Sequence, residues 1–215
     1  MSMVQSISGV AFGPQQLDQP ALLVVDMQND FVRLGAPLEV PDARETIPFQ
    51  QALIDVFRSL KRPVLFTRFV SQESENLLWK WSPQCRPDTR CCWRGHIRHF
   101  PEDGALEGVA IIQELQPAAG EEIIDKYGYG AFHGTSLADE LHRLKVRSLV
   151  VTGTVTQICV EESARESFHH GFSTVIACDA VSSFDAALHN ATLRNFAMKF
   201  GWVEPSANII KALVA

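Results

Sequence analysis

Ala21-Leu22-Leu23-Val24-Val25-Asp26 is the stretch that decides the fold, because an unbroken apolar run ends there at a carboxylate. A short apolar run of this kind is typical of a strand buried on both faces, as in a parallel sheet covered by helices. Similar runs recur along the chain, so the sequence predicts a sheet of six strands. The other candidate strands are 64–66, 122–124, 148–151, 173–177 and the weaker 201–203.

Stretches with a helical character separate the predicted strands. They are residues 47–60, 135–144, 158–170 and 186–200. The first ends before Pro63, which stops helices, and the second begins at the capping residue Thr135. Strands that alternate with helices predict a doubly wound α/β fold, in which a mostly parallel six-stranded sheet carries helices on both faces.

The chain has 215 residues, which is enough for one well-buried domain and too few for two comfortable ones. We therefore expect residues 1–20 to form an irregular N-terminal arm and residues 21–215 to form a single domain. Residues 71–120 interrupt the alternation of strands and helices. Only Gly108 to Leu115 looks helical within this insertion.

The insertion is rich in Trp, Cys, Arg and Pro, and its apolar anchors are Trp79, Trp81 and Trp93. Long insertions in compact domains usually cover a pocket or form a subunit contact. Trp and Arg are enriched at interface cores, so we expect a homo-oligomer in which the insertion covers the pocket or forms the interface.

Composition excludes several classes of protein. The net charge is −6 and no long basic run is present, which argues against a nucleic-acid partner. No apolar run approaches the length of a membrane span, and the first 20 residues lack the pattern of a signal peptide. The five cysteines form no disulfide framework, and free thiols in a reducing compartment predict a cytoplasmic protein.

Three residues of complementary chemistry follow three of the predicted strands. Asp26 ends the first strand, Lys126 follows strand 122–124, and Cys159 follows strand 148–151. In open α/β sheets, ligands bind outside the carboxyl ends of the strands, so we expect these side chains to meet at one edge of the sheet. Each residue alone means little, because a lone Cys is more often a small core residue.

Cys159 also has the local setting of a nucleophile. The stretch from Gly153 to Cys159 predicts a turn from a strand into a helix. The positive end of the helix dipole and the Lys126 ammonium would favour the thiolate, and Asp26 would accept or shuttle the proton. The alternative is a buried thiol that only packs.

Four motifs resemble those of the isochorismatase-like cysteine hydrolases. They are LLVVDMQNDF at 22–31, KYGYGAF at 126–132, VTGTVTQICV at 151–160 and CDA at 178–180. The resemblance covers roughly residues 20–203, in the family's order and spacing.

The resemblance implies a role for each matching residue. Asp26 would be the general acid and base, Lys126 would support the thiolate and bound species, and Cys159 would be the nucleophile. A cis peptide bond before Val155 would aim the backbone N–H groups of Val155 and Cys159 into an oxyanion hole. Phe31 and Phe132 match positions that line the family's substrate pocket, although plain core aromatics are the alternative.

No metal or other cofactor is expected. Nicotinamidases of this family carry an Asp-x-His metal motif after the second strand, whereas residues 66–72 read FTRFVSQ here. This difference disfavours nicotinamide as the substrate. A second set of metal-type residues lies in the insertion, but it contains no Cys-x-x-Cys pair and adjacent cysteines fit a tetrahedral zinc site poorly. This set consists of Cys85, Cys91, Cys92, His96 and His99.

The function that the sequence predicts is hydrolysis of the C–N bond of a small amide or ureide through a thioester. One alternative is hydrolysis of the vinyl ether of an isochorismate-like acid, although Cys159 favours attack on a carbonyl. The other is a non-catalytic binding homologue, which the intact set of Asp26, Lys126 and Cys159 argues against.

Overall fold

A six-stranded parallel sheet lies at the centre of the computed structural model, which describes residues 9–215. The strands of the described chain are β1 Pro20–Val25, β2 Val64–Phe69, β3 Ile97–Phe100, β4 Gly104–Glu107, β5 Glu122–Lys126, β6 Ser148–Thr154, β7 Ser173–Ser182 and β8 Trp202–Glu204. The sheet has the order β5-β2-β1-β6-β7-β8, and every neighbouring pair is parallel. The predicted fold class is therefore confirmed.

Helices cover both faces of the sheet. They are α1 Asn29–Val32, α2 Ala43–Ser59, α3 Leu78–Trp81, α4 Leu137–Arg143, α5 Glu161–His169, α6 Ala186–Lys199 and α7 Ser206–Leu213. All four predicted helices are present, but α2 begins four residues earlier than predicted and contains Pro48. α7 was not predicted, nor were the single turns α1 and α3.

The alternation of side chains along β1 explains its unbroken apolar run. Leu22 and Val24 belong to a core that α2 and α7 cover, whereas Ala21, Leu23 and Val25 belong to a core that α4, α5 and α6 cover. Successive side chains of a strand point to opposite faces, and here both faces are buried. β1 is central in the sheet, so its last residue leads directly into the middle of the sheet's carboxyl edge.

The insertion contains more regular structure than expected, and the helix predicted from Gly108 to Leu115 is wrong. β3 and β4 form an antiparallel hairpin, and only Gln113–Leu115 makes a helical turn, of the 3-10 type. The preceding residues form turns that bond to residues after β1: the carbonyls of Gly108 and Ala110 accept from the backbone N–H groups of Asp30 and Asn29, respectively. Tertiary bonds of this kind are invisible to local sequence patterns.

The tryptophans of the insertion differ in exposure. Trp79 packs partly against the core, and Trp93 donates from Nε1 to the Cys85 carbonyl at 2.8 Å. Trp81, by contrast, is 81% exposed. Two of the three therefore fold back on their own chain, and Trp81 is left as an apolar group on the surface.

The N-terminal arm is described from residue 9 onward, and residues 1–8 of the expected arm lie outside the described residues. Pro14–Gln16 forms a 3-10 turn, and β1 begins at Pro20, the last residue assigned to the arm. Within residues 9–215, no helix has the length and apolar character needed to cross a bilayer.

Candidate active site

Asp26, Lys126 and Cys159 lie together at the carboxyl edge of the sheet. Asp26 directly follows β1, Lys126 is the last residue of β5, and Cys159 lies in the turn after β6. β2 separates β5 from β1, so the Lys126 side chain crosses the end of β2, with Nζ 5.6 Å from the centre of the Phe69 ring. The parallel arrangement of the strands thus produces the juxtaposition expected from the sequence.

Asp26 and Lys126 form a fully buried ion pair, with 2.7 Å between Oδ2 and Nζ. The other carboxylate oxygen of Asp26 accepts a 2.6 Å hydrogen bond from the Thr67 hydroxyl, and that hydroxyl accepts from the Asp26 backbone N–H. The φ of Asp26 is +50°, a left-handed value that Asp tolerates better than most residues. Thr67 therefore fixes both the backbone and the side chain of Asp26.

Lys126 is held as an ammonium. Besides Asp26, Nζ donates to the carbonyls of Gly128 and Tyr129 at 3.0 and 2.9 Å. Burial lowers the pKa of Lys126, but the neighbouring Asp26 carboxylate and Cys159 sulfur outweigh burial and leave the pKa above its ordinary value. An ammonium with a raised pKa stays charged at neutral pH and is a source of positive potential beside Cys159.

The turn that carries Cys159 is built from an unusual sequence of backbone conformations. Gly153 has a φ of +107°, and a Cβ on it would lie 2.0 Å from the Val25 carbonyl oxygen, so only glycine fits there. The Thr154–Val155 peptide bond is cis, and residues Thr156–Val160 form one π-helical turn that leads into α5. Cys159 therefore lies at the amino end of a helical segment, as its sequence suggested.

Thr156 anchors this turn from behind. Its hydroxyl donates to the Ser182 carbonyl at 2.9 Å and lies 2.9 Å from Nδ1 of His189. Burial lowers the pKa of His189, which keeps its ring neutral near pH 7. β7 and α6 thus fix the position of the nucleophile turn.

The Cys159 thiol interacts with both members of the ion pair, but it does not rest as a thiolate. The pKa of the thiol is raised to about 12, mainly by burial; the Lys126 charge opposes this shift, and the Asp26 carboxylate adds to it. The Lys126 charge acts on this pKa in the direction that the sequence predicted, but burial of the thiol opposes it. The carboxylate that interacts with this thiol is that of Asp26.

This protonation state predicts a pH dependence for alkylation of Cys159. Because only the thiolate reacts and its fraction grows tenfold per pH unit below the pKa, the iodoacetamide rate at Cys159 should rise about tenfold per unit from pH 7 to 9. Peptide mass mapping over time measures that rate. A small free thiol, alkylated in the same tubes, should begin to level off near pH 9 because its pKa is about 8.5. A plateau at Cys159 below pH 8 would contradict this assignment.

A cavity of about 250 Å³ opens over the Cys159 side chain. Its wall is largely apolar and aromatic. The lining residues are Phe31, Pro37, Leu38, Glu39, Phe69, Ser82, Tyr129, Val155, Ile158, Cys159 and Phe184. A small concave site with few polar groups above a reactive side chain is the usual form of a substrate pocket.

The structure separates the two aromatic residues expected to line the pocket. Phe31 does line the cavity. Phe132 lies instead in the core beneath α5, where its ring stacks on His170 at 4.8 Å and packs against Phe172 at 6.1 Å. The expected contact of Phe132 with substrate is corrected accordingly, and Tyr129 of the same motif takes the place in the wall.

Sequence reasoning missed several residues of the site. Gln28, within the first motif, donates from Nε2 to the carbonyls of Phe69 and Val109 and accepts from the Phe69 N–H, so it ties the end of β2 to the insertion. Nothing in the sequence around Thr67 or Glu39 indicated that these residues belong to the site. Gln28 was detectable in principle, because an amide beside Asp26 in an apolar stretch needs partners once it is buried.

Comparison with known proteins agrees with this geometry. The family model for the isochorismatase domain matches residues 20–208, which is most of the chain. The chain belongs to the isochorismatase family. The family assignment expected from the four motifs is thus confirmed.

Named relatives of this isochorismatase-family chain are amide hydrolases. Nicotinamidase 3 of Arabidopsis thaliana is 31% identical over 198 residues, which are 90% of this chain and 88% of the relative. The ureidoacrylate amidohydrolase RutB of Methylorubrum extorquens is 33% identical over 206 residues, 91% of this chain and 83% of the relative. A cysteine hydrolase structure from Pseudomonas syringae pv. phaseolicola superposes with a TM-score of 0.82 at 24% identity and covers 100% of this chain and 99% of its own, which supports the fold.

The structure separates the cysteines of the insertion from the two histidines that the sequence placed in the same set of metal-type residues. Cys91 and Cys92 have their sulfurs 3.7 Å apart, and they group with a carboxylate oxygen of Asp30, not with His96 or His99. Cys85 also interacts with Cys91. Both Asp30 oxygens already have partners, Arg98 Nε at 2.8 Å and the Cys92 N–H at 2.7 Å. This cluster therefore connects the first motif to the insertion of this isochorismatase-family fold.

Proposed function

We propose that this protein hydrolyses the carbon–nitrogen bond of a small amide or ureide through a thioester on Cys159. The observation that carries the proposal is the buried Asp26–Lys126 pair beside the Cys159 thiol, on the floor of a small cavity. A nucleophile within reach of a base, with the base held by a third group, is the arrangement of covalent hydrolases. The amidohydrolase relatives support the same class of reaction.

The first half of the reaction forms the thioester. Asp26 accepts the thiol proton as the Cys159 sulfur attacks the carbonyl carbon, and Lys126 stabilises the negative charge on sulfur. The carbonyl oxygen becomes an oxyanion, which the backbone N–H groups of Val155 and Cys159 would bind. The protonated Asp26 then gives its proton to the nitrogen, the C–N bond breaks, and ammonia or an amine leaves.

The second half releases the acid. Water attacks the thioester carbonyl and transfers a proton to Asp26, so that the same carboxylate acts as base in both halves. The C–S bond then breaks, and Asp26 returns the proton to the Cys159 sulfur. Lys126 keeps its proton throughout, consistent with its raised pKa. Its positive charge offsets the negative charge that moves between Asp26, sulfur and the oxyanion.

Hydrolysis of an isochorismate-like vinyl ether is the second candidate. That reaction protonates a carbon–carbon double bond and needs an acid, whereas it has no use for a nucleophilic sulfur. Cys159 and Val155 both border the cavity. This placement favours the carbonyl reaction.

The test of the proposal is ammonia release from a panel of small primary amides and ureides, with a vinyl ether acid in parallel. We expect ammonia from at least one amide, together with an intact-protein mass increase equal to the acyl group when the reaction is quenched in acid. The adduct should map to Cys159. Product from the vinyl ether alone would overturn the proposal in favour of the second candidate.

Three further expectations stay proposals. We propose that residues 21–215 act as one hydrolase domain, because one continuous sheet spans Pro20 to Glu204.

A homo-oligomer is supported by Leu77 and Trp81, which are 72% and 81% exposed beside the cavity residue Ser82. Light scattering that gives 23.9 kDa, the mass of one chain, would refute it. Five unpaired cysteines support a cytoplasmic location, which fractionation of the source cells tests.

A further inference from the structure

The charge of the cavity wall bears on which amide the protein takes. Among residues 9–215, the acidic residue Glu39 lines the cavity, whereas no Arg, Lys or His does. The other lining residues are aromatic or aliphatic, apart from Ser82 and Cys159. An anionic group on a substrate would therefore leave water without gaining a cation and would face Glu39.

Glu39 is held firmly in the wall. One carboxylate oxygen accepts from Arg44 at 2.8 Å and the other from the Gly35 N–H at 2.8 Å. The second terminal nitrogen of Arg44 donates to the Val32 carbonyl at 2.7 Å. Because both terminal nitrogens of Arg44 are engaged by the protein, Arg44 is poorly placed to turn toward a substrate carboxylate.

The buried cation beside Cys159, Lys126, already has partners in the protein. Lys126 bonds to Asp26 and to two backbone carbonyls, and its side chain has no exposed area. An ammonium that gave up these partners for a substrate carboxylate would leave the Asp26 charge buried and unpaired, which is strongly unfavourable. Lys126 therefore takes part in the proposed reaction and does not bind a carboxylate on the acyl part of the substrate.

We infer that the protein selects amides whose acyl part is uncharged and mainly apolar, and that it discriminates against amides that carry a carboxylate. The inference rests on the proposed amide hydrolysis and narrows its substrate class. It also separates this chain from relatives such as the ureidoacrylate amidohydrolase, whose named substrate is an acid. The protein would discriminate against an acidic amide because the carboxylate of that substrate would be buried without a cationic partner, which is a common source of specificity.

Succinamide and succinamate test the inference, because they differ only in an amide group against a carboxylate of the same shape. Butanamide extends the series with an apolar end of similar length. We expect kcat/KM for ammonia release, per amide group, to be at least about tenfold higher for succinamide than for succinamate, since an unpaired charge costs well over a factor of ten in a partly apolar site. Butanamide should be at least as good as succinamide.

A charged wall should reverse the preference. Leu38→Arg places a cation in the cavity wall, and Leu38→Met is the matched uncharged control of similar length. The arginine variant should raise the ratio of succinamate to succinamide kcat/KM at least about tenfold above that of the methionine variant. Equal ratios in the two variants would overturn the inference.

The outcomes distinguish this inference from the proposed function. A wild-type protein that cleaves succinamate as well as or better than succinamide would overturn the inference and leave amide hydrolysis intact. Absence of ammonia from every amide and ureide of the wider panel would overturn the proposed function, and the inference with it.

Discussion

Cys159→Ala should release no measurable ammonia from any amide that the wild-type protein cleaves, a loss of at least about 10⁴-fold in kcat. The reason is that no other thiol lines the cavity among the described residues, and the carbonyl attack needs the sulfur that Asp26 deprotonates. Asp26 and Lys126 remain in place, but without the nucleophile they have no bond to make. The measurement is single-turnover ammonia release at micromolar enzyme, followed for hours.

The matched control for this variant is Cys178→Ala. Cys178 lies in β7, partly exposed and away from the cavity, so its replacement should change kcat by less than about twofold. Both variants should show cooperative thermal unfolding. Cys159→Ala should also fail to acquire the acyl mass that the wild-type protein shows after an acid quench. A Cys159→Ala protein that keeps a tenth of the activity would rule out the thioester route.

The sheet could be predicted from the sequence because each of its strands is marked by a local apolar run. The unbroken apolar run of 21–25 requires two covered faces, and the structure buries alternate residues of β1 in two different cores. The meeting of Asp26, Lys126 and Cys159 then follows from topology alone, since parallel strands end at one edge. The prediction for the insertion was wrong where distant residues determine the backbone, as where the carbonyls of Gly108 and Ala110 accept hydrogen bonds from residues after β1.

The chemistry of the site was harder to predict than its position. The helix end and Lys126 favour a thiolate, but burial of Cys159 is a tertiary property, and it is the main reason that the pKa of the thiol is raised to about 12. The prediction for Phe132 was wrong for a similar reason. Its motif lies near the site, but the packing around α5 determines that its ring stacks on His170. Glu39 reaches the cavity from a loop with no recognisable pattern, so the charge of the wall was not predictable.

Breaking the buried ion pair should separate its contribution to catalysis from its contribution to stability. Lys126→Met leaves the Asp26 carboxylate buried without a cation, beside the Thr67 hydroxyl and the Cys159 thiol, and Asp26→Asn leaves the Lys126 ammonium with two carbonyls. Loss of one partner of a buried pair typically costs about 3–5 kcal/mol of unfolding free energy. Each single variant should also lose at least about 10³-fold in kcat, because each disables the same proton-transfer unit.

The double variant Asp26→Asn/Lys126→Met decides between the two contributions. It buries no unpaired charge, so its unfolding free energy in urea should recover by at least about 1 kcal/mol relative to the less stable single variant. Its activity should not recover, because no base remains to deprotonate Cys159. Arg143→Met, which breaks the exposed Arg143–Glu140 pair, is the control and should leave both quantities essentially unchanged. Regained activity in the double variant would show that the pair is structural and that another group removes the thiol proton.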